Sequence, residues 1–154
     1  MAPALGSPAP DIALDGWHDG EVRRFVLSEQ RGHPVVLAFY PGDSTPGCTK
    51  QLCSYSDDWD LLTSTGAVLW GISVQNIESK KRFAGKRGLK MPLLADVDRA
   101  AHKAYAVDRG LVTKRSVFVI DSEGLLRWSH VSTLGLTHQS TATLTSVLAD
   151  LQPA

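Results

Sequence analysis

The chain has few cysteines and no imbalance of charge. It contains 154 residues, of which only 2 are cysteine, and its 16 basic residues balance 16 acidic ones. Two cysteines are too few for the disulfide scaffold of a small secreted domain. A net charge of zero gives no electrostatic footprint for nucleic acid or for an anionic membrane. We therefore expect neither nucleic acid nor a membrane among its partners.

Long hydrophobic runs are also missing. A membrane-spanning helix needs about 20 consecutive apolar residues, and the apolar run at residues 35–40 is far shorter than that. Residues 1–14 contain neither the basic region nor the apolar region of a signal peptide. We therefore expect a cytoplasmic location. In that reducing compartment, a close pair of cysteines is more often catalytic or metal-binding than structural.

The order of apolar runs and turn signals predicts the fold class. No repeat or linker divides the chain, so residues 1–154 are expected to form one domain. The predicted strands comprise residues 11–14, 21–25, 35–40, 68–74, 93–95, 116–121 and 125–132. The predicted helices comprise residues 48–63, 78–87, 99–106 and 137–151, after one helical turn at 27–31. This order indicates an α/β protein with a thioredoxin-like fold, in which a mixed central sheet is flanked by helices and extended by extra N-terminal strands.

Cys48 lies where a buried strand is followed by a helix. The apolar run at 35–40 ends at Pro41, turn signals follow, and the predicted helix begins at Cys48. The amides and the dipole of a helix N-terminus stabilise a thiolate and lower the pKa of a cysteine. The carboxyl edge of the strands is also where α/β folds place their sites. Cys48 is therefore predicted to be a nucleophile.

The second cysteine, Cys53, follows Cys48 by five residues. On a continuous helix this spacing separates the two Cα atoms by about 8.6 Å, whereas a disulfide requires about 7 Å or less. A disulfide between them therefore requires the first helical turns to unwind. Other interpretations are a small buried hydrophobe at Cys53, a thiol-exchange site, for which the Cys-x-x-Cys spacing is absent, and a zinc site. The histidines that zinc would need are scattered, at His102, His130 and His138.

The segment FYPGDSTPGCTKQLC, residues 39–53, resembles the active-site segment of the peroxiredoxins. The family pattern Pro-x-x-x-Thr/Ser-x-x-Cys is matched by Pro41, Thr45 and Cys48. A second cysteine five residues later marks the Q-type subgroup, also called bacterioferritin comigratory protein, and Cys53 supplies it. Segments further along the chain agree with this subgroup, and the likeness extends from about Gly6 to the C-terminal helix.

The resemblance implies a thiol-dependent peroxidase that reduces hydrogen peroxide and alkyl hydroperoxides. Cys48 is then the peroxidatic cysteine, which is oxidised to a sulfenic acid. Cys53 is the resolving cysteine, which closes an intramolecular disulfide. Thioredoxin or a similar dithiol protein reduces that disulfide, and no metal, haem or flavin cofactor is expected. A monomer is expected, with a dimer as the alternative.

The resemblance also assigns roles to residues around the sulfur. Thr45 is expected to exchange hydrogen bonds with the sulfur and the peroxide. Pro41 is expected to fix the loop and to shield the pocket from water. Arg115 is expected to be the permanent cation beside the thiolate. Two further contacts with the substrate are predicted, from the backbone amide of Gly47 and from the side chain of Tyr40.

Some alternatives remain open from the sequence. Lys114 and Arg109 compete with Arg115 as the cation. Two rival functions are a one-cysteine peroxidase, resolved by an external thiol, and a non-enzymatic redox sensor. The chain also departs from the subgroup pattern at two positions. Ser56 replaces an arginine, so the sequence does not determine how easily the helix unwinds. Gln75 replaces an acidic residue, which we interpret as a surface change of low functional weight.

Overall fold

A computed structural model describes residues 2–110, 112–132 and 139–151, with residue 48 described by its backbone alone. The strands are β1 (Ala13–His18), β2 (Glu21–Val26), β3 (Val35–Phe39), β4 (Val68–Ser73), β5 (Leu93–Ala95), β6 (Asp108–Arg109), β7 (Val112–Thr113), β8 (Ser116–Ile120) and β9 (Leu126–Val131). The helices are α1 (Pro46–Asp57), α2 (Trp59–Thr63), α3 (Ile77–Arg87), α4 (Ala100–Ala104) and α5 (Thr141–Asp150), and a 3-10 turn covers Leu27–Gln30. Within these ranges, no helix combines the length and the apolar character needed to cross a membrane.

A seven-stranded mixed sheet organises the chain, with the strand order β2-β1-β5-β4-β3-β8-β9. The pairs β3–β4 and β4–β5 are parallel. Strand β3 pairs antiparallel with β8, and β8 with β9. The strands β1 and β2 form the extra N-terminal hairpin, which joins the sheet antiparallel to β5. The predicted thioredoxin-like α/β fold with additional N-terminal strands is confirmed.

The central strand β3 is buried on both faces of the sheet. Val35, Leu37 and Phe39 belong to one core cluster, which includes residues of the 3-10 turn and α4. Val36 and Ala38 belong to a second cluster, which includes residues of α1, α3 and α5. Burial on both faces explains why this strand is an unbroken apolar run instead of an alternating one.

The first hairpin turns later than predicted. We predicted that the first strand ends at residue 14, but β1 extends to His18 and the loop comprises only Asp19 and Gly20. Both loop residues have positive φ angles, 51° and 77°. A two-residue hairpin loop of this kind favours the Asp-Gly pair, because glycine adopts positive φ without a steric cost.

The helix predicted over residues 48–63 is in fact two helices. Helix α1 ends at Asp57, and α2 begins at Trp59. Asp58, between them, has φ −98° and ψ 22°. The apolar spacing continues through both helices, so it does not reveal an interruption by a single residue. Helix α1 also begins earlier, at Pro46, a first-turn position where the missing N–H of proline costs no hydrogen bond.

The last helix begins at Thr141, where the side chain of Ser140 accepts a hydrogen bond from Thr143 N at 3.2 Å. We predicted a start at residue 137, which lies outside the described residues. The small hairpin β6–β7 was not predicted, because strands of two residues are too short to show an alternating pattern.

Gly71 lies in β4 at a position with little space for a side chain. A Cβ atom on Gly71 would lie 3.1 Å from Leu93 Cδ2, 3.3 Å from Tyr40 Cε1 and 3.6 Å from Leu52 Cδ1. All three side chains are 0% exposed and have little room to move. We expect Gly71→Ala to lower the free energy of unfolding by about 1–3 kcal/mol, measured by urea denaturation.

Gly85→Ala is the matched control, since Gly85 lies in α3 with no atom within 4 Å of a Cβ. It is expected to leave the free energy of unfolding unchanged or to raise it by up to about 1 kcal/mol, through helix propensity. A Gly71→Ala protein as stable as the wild type would contradict the close packing of Leu93 and Tyr40 around Gly71.

Candidate active site

The start of α1 presents hydrogen-bond donors at the carboxyl end of β3. Thr45 is the residue before the helix, with φ −76° and ψ 151°, and makes no side-chain cap. The first helical hydrogen bond runs from Thr49 N to Thr45 O at 2.8 Å. The amides in the first turn of a helix have no partner within it. Pro46 has no N–H, so Gly47 and Cys48 provide the first donors, and together with the helix dipole they favour an anion at this point.

Arg115 lies against this helix start. It directly precedes β8, which pairs with β3 so that Ser116 lies opposite Phe39. A Cβ atom on Gly47 would be 3.2 Å from Arg115 Nη2, so the guanidinium lies beside the second residue of α1. Arg115 is buried, at 5% exposure. A permanent positive charge is therefore held beside the predicted position of the thiolate.

The rival cations are placed differently. Arg109 is exposed on β6, and Lys114 is half-buried, with its backbone N–H bonded to Val107 O. Arg115 is the cation whose guanidinium lies beside Gly47. Its position supports Arg115 over Arg109 and Lys114 as the cation of the site.

Gln51 and Tyr55 continue the site along one face of α1. Arg115 Nη1 donates a hydrogen bond to Gln51 Oε1, and Gln51 is 0% exposed. Gln51 Nε2 donates to the hydroxyl of Tyr55 at 3.5 Å, and that hydroxyl donates to Gln139 O at 2.6 Å. Burial raises the pKa of Tyr55 to about 12, although Gln51 and Arg115 both act to lower it. Tyr55 therefore remains a protonated donor at neutral pH.

We made no site prediction for Gln51 or Tyr55 from the sequence. Their spacing from Cys48 could have indicated a place in the site. Gln51 follows Cys48 by three residues and Tyr55 follows Gln51 by four, so all three share one face of α1. A glutamine on that face is an unusual choice for a core position.

Thr45 and Pro41 lie in the loop that leads into α1. Thr45 Oγ1 donates its only proton to Gly42 O at 3.0 Å, so in this state the hydroxyl has only acceptor capacity left. Donation to a bound molecule requires rotation of the hydroxyl away from Gly42. Pro41 is half-buried, and its carbonyl accepts a hydrogen bond from Gln75 Nε2 at 3.4 Å.

Tyr40 and Gln75 form hydrogen bonds with this loop. Tyr40 is 0% exposed, and its hydroxyl donates to Asp43 Oδ1 at 2.5 Å. Its contacts favour a role in holding the loop over the predicted contact with substrate. Gln75 also accepts a hydrogen bond from Asp43 N at 3.2 Å. Our interpretation of Gln75 as a surface change is wrong, because its half-buried amide joins two backbone positions of the loop.

Cys53 is a half-buried free thiol in the middle of α1. Helix α1 is continuous from Pro46 to Asp57 and contains both cysteines. At the geometry of a regular helix, their Cα atoms are about 8.6 Å apart. The side-chain contacts of Cys48 lie outside what the structure describes. The described conformation of α1 is thus the one in which a Cys48–Cys53 disulfide cannot form.

The two ends of α1 differ in their side-chain hydrogen bonds. At the C-terminal end, the Ser56 hydroxyl accepts a hydrogen bond from Lys90 N at 3.1 Å and donates to Gly88 O at 3.5 Å. The N-terminal end has no side-chain cap. Ser56, which replaces the arginine of the subgroup pattern, therefore fastens the last turn. Unwinding is expected to begin at the first turn.

A second buried polar cluster joins α4 to β7. His102 Nδ1 is 2.6 Å from Asp96 Oδ2, and His102 Nε2 is 2.9 Å from Thr113 Oγ1. Burial acts to raise the pKa of Asp96, but hydrogen bonds from the side chain and backbone of His102 and from the backbone of Ala101 outweigh it and leave the pKa lowered. The cluster fastens β7 two residues before Arg115. His102 thus has a structural partner on each ring nitrogen.

Metal binding has no support in the part of the chain that the structure describes, where no group of three or more His, Cys, Asp or Glu side chains converges. His130 is half-buried on β9, and His138 lies outside the described residues.

The charge of Arg115 makes a testable contribution to the reactivity of Cys48. We expect Arg115→Met to slow the alkylation of Cys48 by iodoacetamide at pH 7 about tenfold and to move its pH dependence upward, because a positive charge beside a thiolate favours its formation. Mass spectrometry of the alkylated peptides distinguishes Cys48 from Cys53. The control is Arg109→Met, which removes an exposed arginine. Equal alkylation rates in the two variants would contradict the assignment.

Comparison with known sequences places this site in context. The profile of the AhpC/TSA family matches residues 5–129. The chain is 38% identical over 125 residues to chloroplastic peroxiredoxin Q of Sedum lineare, covering 79% of this chain and 66% of that protein. It is 35% identical over 134 residues to a putative peroxiredoxin bcp of Coxiella burnetii, covering 82% of this chain and 87% of that protein. The chain spans less than two thirds of the length of the plant relatives, 66% for Sedum lineare and 57% for japonica rice.

Solved structures agree on the fold. A reduced 2-Cys peroxiredoxin of Plasmodium vivax superposes with a TM-score of 0.88 at 23% identity, covering 96% of each chain. The AhpC of Mycobacterium bovis superposes with a TM-score of 0.88 at 19% identity, covering 99% of this chain and 94% of that one.

Proposed function

The chain belongs to the AhpC/TSA family, and within it to the Q-type peroxiredoxins, and on this premise we propose that it is a thiol-dependent peroxidase. The observation that carries the proposal is the start of α1. There, two helix amides and the guanidinium of Arg115 converge where Cys48 enters the helix. This arrangement stabilises a thiolate and also the negative charge that develops on a departing oxygen. A site built only for packing has no need of a buried arginine at a helix N-terminus.

The first step is an attack by the Cys48 thiolate on one oxygen of a hydroperoxide. A sulfur–oxygen bond forms, the O–O bond breaks, and the leaving oxygen departs as water or an alcohol after taking a proton. The sulfur is oxidised to a sulfenic acid, and the hydroperoxide is reduced by two electrons. Arg115 and the amides of Gly47 and Cys48 stabilise the charge on the oxygens. Thr45 accepts a hydrogen bond from the peroxide, or donates one after its hydroxyl rotates away from Gly42.

The second step uses the cysteine that the intact helix keeps apart from the first. The first turn of α1 unwinds, and the sulfur of Cys53 attacks the sulfur of the Cys48 sulfenic acid. A sulfur–sulfur bond forms, the sulfur–oxygen bond breaks, and the oxygen leaves as water. The missing side-chain cap at Thr45 and the fastened turn at Ser56 support unwinding from the N-terminal end.

A dithiol reductant completes the cycle. Thioredoxin or a similar protein donates two electrons through thiol–disulfide exchange, which returns both cysteines to thiols. The proposed substrates are hydrogen peroxide and small alkyl hydroperoxides. The protein is proposed to act in the cytoplasm as a monomer. Since every electron passes through sulfur, the proposed cycle uses no metal or organic cofactor.

Replacing Cys53 separates the two steps. We expect Cys53→Ser to retain the rapid oxidation of Cys48 by one equivalent of hydrogen peroxide, because Cys53 takes no part in breaking the O–O bond. The intramolecular disulfide is lost, and turnover with thioredoxin falls by a factor of about 100 or more, since the sulfenic acid lacks its internal partner. Stopped-flow tryptophan fluorescence measures the oxidation, and a coupled thioredoxin reductase assay measures the turnover.

The control is Cys48→Ser, which should abolish both reactions. Full turnover with thioredoxin in Cys53→Ser would contradict the resolving role of Cys53 and favour the one-cysteine peroxidase. Oxidation of the wild-type protein without repeated turnover would instead favour a redox sensor.

A further inference from the structure

A buried ion pair lies beneath the loop that leads to the proposed nucleophile. Lys80 Nζ, from α3, is 3.1 Å from each carboxylate oxygen of Asp43, in the loop between β3 and α1. The two side chains are 0% and 2% exposed. Taking both charges out of water is unfavourable, and a buried ion pair often stabilises a protein no better than apolar residues of the same size. The pair therefore points to a role other than general stability.

Neighbouring hydroxyls complete the environment of the Asp43 carboxylate. Tyr40 donates to Oδ1 at 2.5 Å, and Ser79 donates to Oδ2 at 2.6 Å. Lys80 Nζ also donates to the hydroxyls of Tyr40, at 3.3 Å, and of Ser73. Each carboxylate oxygen thus accepts from one hydroxyl and from the ammonium. Donors from the end of β3 and from α3 fix the orientation of the carboxylate and, through it, the position of the Asp43 backbone.

Gln75 fastens the backbone of the same loop. Its Oε1 accepts from Asp43 N at 3.2 Å and from the Ser73 hydroxyl at 2.6 Å, and its Nε2 donates to Pro41 O at 3.4 Å. The contacts of this cluster come from the end of β3, from β4 and the residues after it, and from α3. None of the contacts described for Asp43 comes from α1.

We propose that Asp43 and Lys80 are positioning residues that hold Pro41 and Thr45 in their reactive geometry independently of α1. The proposal rests on the peroxidase function above. Asp43 lies two residues after Pro41 and two before Thr45, and α1 begins directly after Thr45. When the first turn of α1 unwinds, the loop remains attached to β4 and α3. The helix then re-forms onto a loop that has kept its place.

The test replaces both charges together, since removal of one partner would leave the other buried and uncompensated. In Asp43→Asn with Lys80→Met, asparagine keeps the shape of the carboxylate and methionine keeps most of the length of lysine. The rate constant for oxidation of Cys48 by hydrogen peroxide is measured by stopped-flow fluorescence, and stability by urea denaturation. We expect oxidation to slow by about tenfold to a hundredfold, the cost of a misplaced reacting group.

The control for lost stability is Leu126→Ala, at a 0% exposed position on β9 that takes no part in the site. It should unfold at a lower urea concentration yet keep the wild-type oxidation rate. A double variant that oxidises as fast as the wild type would overturn the proposal. A double variant slowed only as much as Leu126→Ala would also overturn it.

A milder variant tests the positioning role of Asp43 if the double variant does not fold. Ser79→Ala removes one hydrogen bond to Asp43 without stranding a charge, and oxidation is expected to slow about threefold. An unchanged rate in Ser79→Ala would overturn the proposal. Failure of the peroxidase function is distinct, because the wild-type protein itself would then react with hydrogen peroxide no faster than a free thiol.

Discussion

Residues five apart on an α-helix are too far apart to share a disulfide. This constraint means that the first turn of α1 must move, while the loop before it and the last turn of the helix stay in place. The intact first turn of α1 offers Cys48 the helix amides and the charge of Arg115. The same turn keeps Cys53 out of reach. The proposed activation of Cys48 and its proposed resolution by Cys53 therefore require two different conformations of one short segment.

The distribution of contacts around α1 fits this division. The loop before the helix is fastened by the buried pair of Asp43 and Lys80 and by Gln75. The last turn is fastened through Ser56. Between them, the first turn has no side-chain cap. Arg115 lies beside Gly47 in that turn and donates a hydrogen bond to Gln51, one turn further along. The stabilising contacts thus lie on both sides of the segment proposed to unwind. Unwinding can therefore stay confined to the first turn of α1.

The fold was largely predictable because its signals are local. Strands β3, β4 and β8 are apolar runs, and α3 ends at Gly88, whose φ is 62°. The break at Asp58 and the small β6–β7 hairpin were not predictable, because neither changes the apolar pattern. Cys48 was predicted from its place between a buried strand and a helix, and Pro41 and Thr45 were predicted from the family pattern. The roles of Gln75 and Lys80 depend on contacts with residues more than thirty positions away, which no local pattern reveals.

Hydrogen–deuterium exchange of α1 tests the central claim most directly. Amide exchange is measured by mass spectrometry in the reduced protein, after one equivalent of hydrogen peroxide, and after reduction again. We expect oxidation to link Cys48 to Cys53 and to increase exchange sharply in the first turns of α1, while β3 stays protected. Reduction should reverse the change. A Cys48–Cys53 disulfide formed while α1 keeps its full protection would contradict the account.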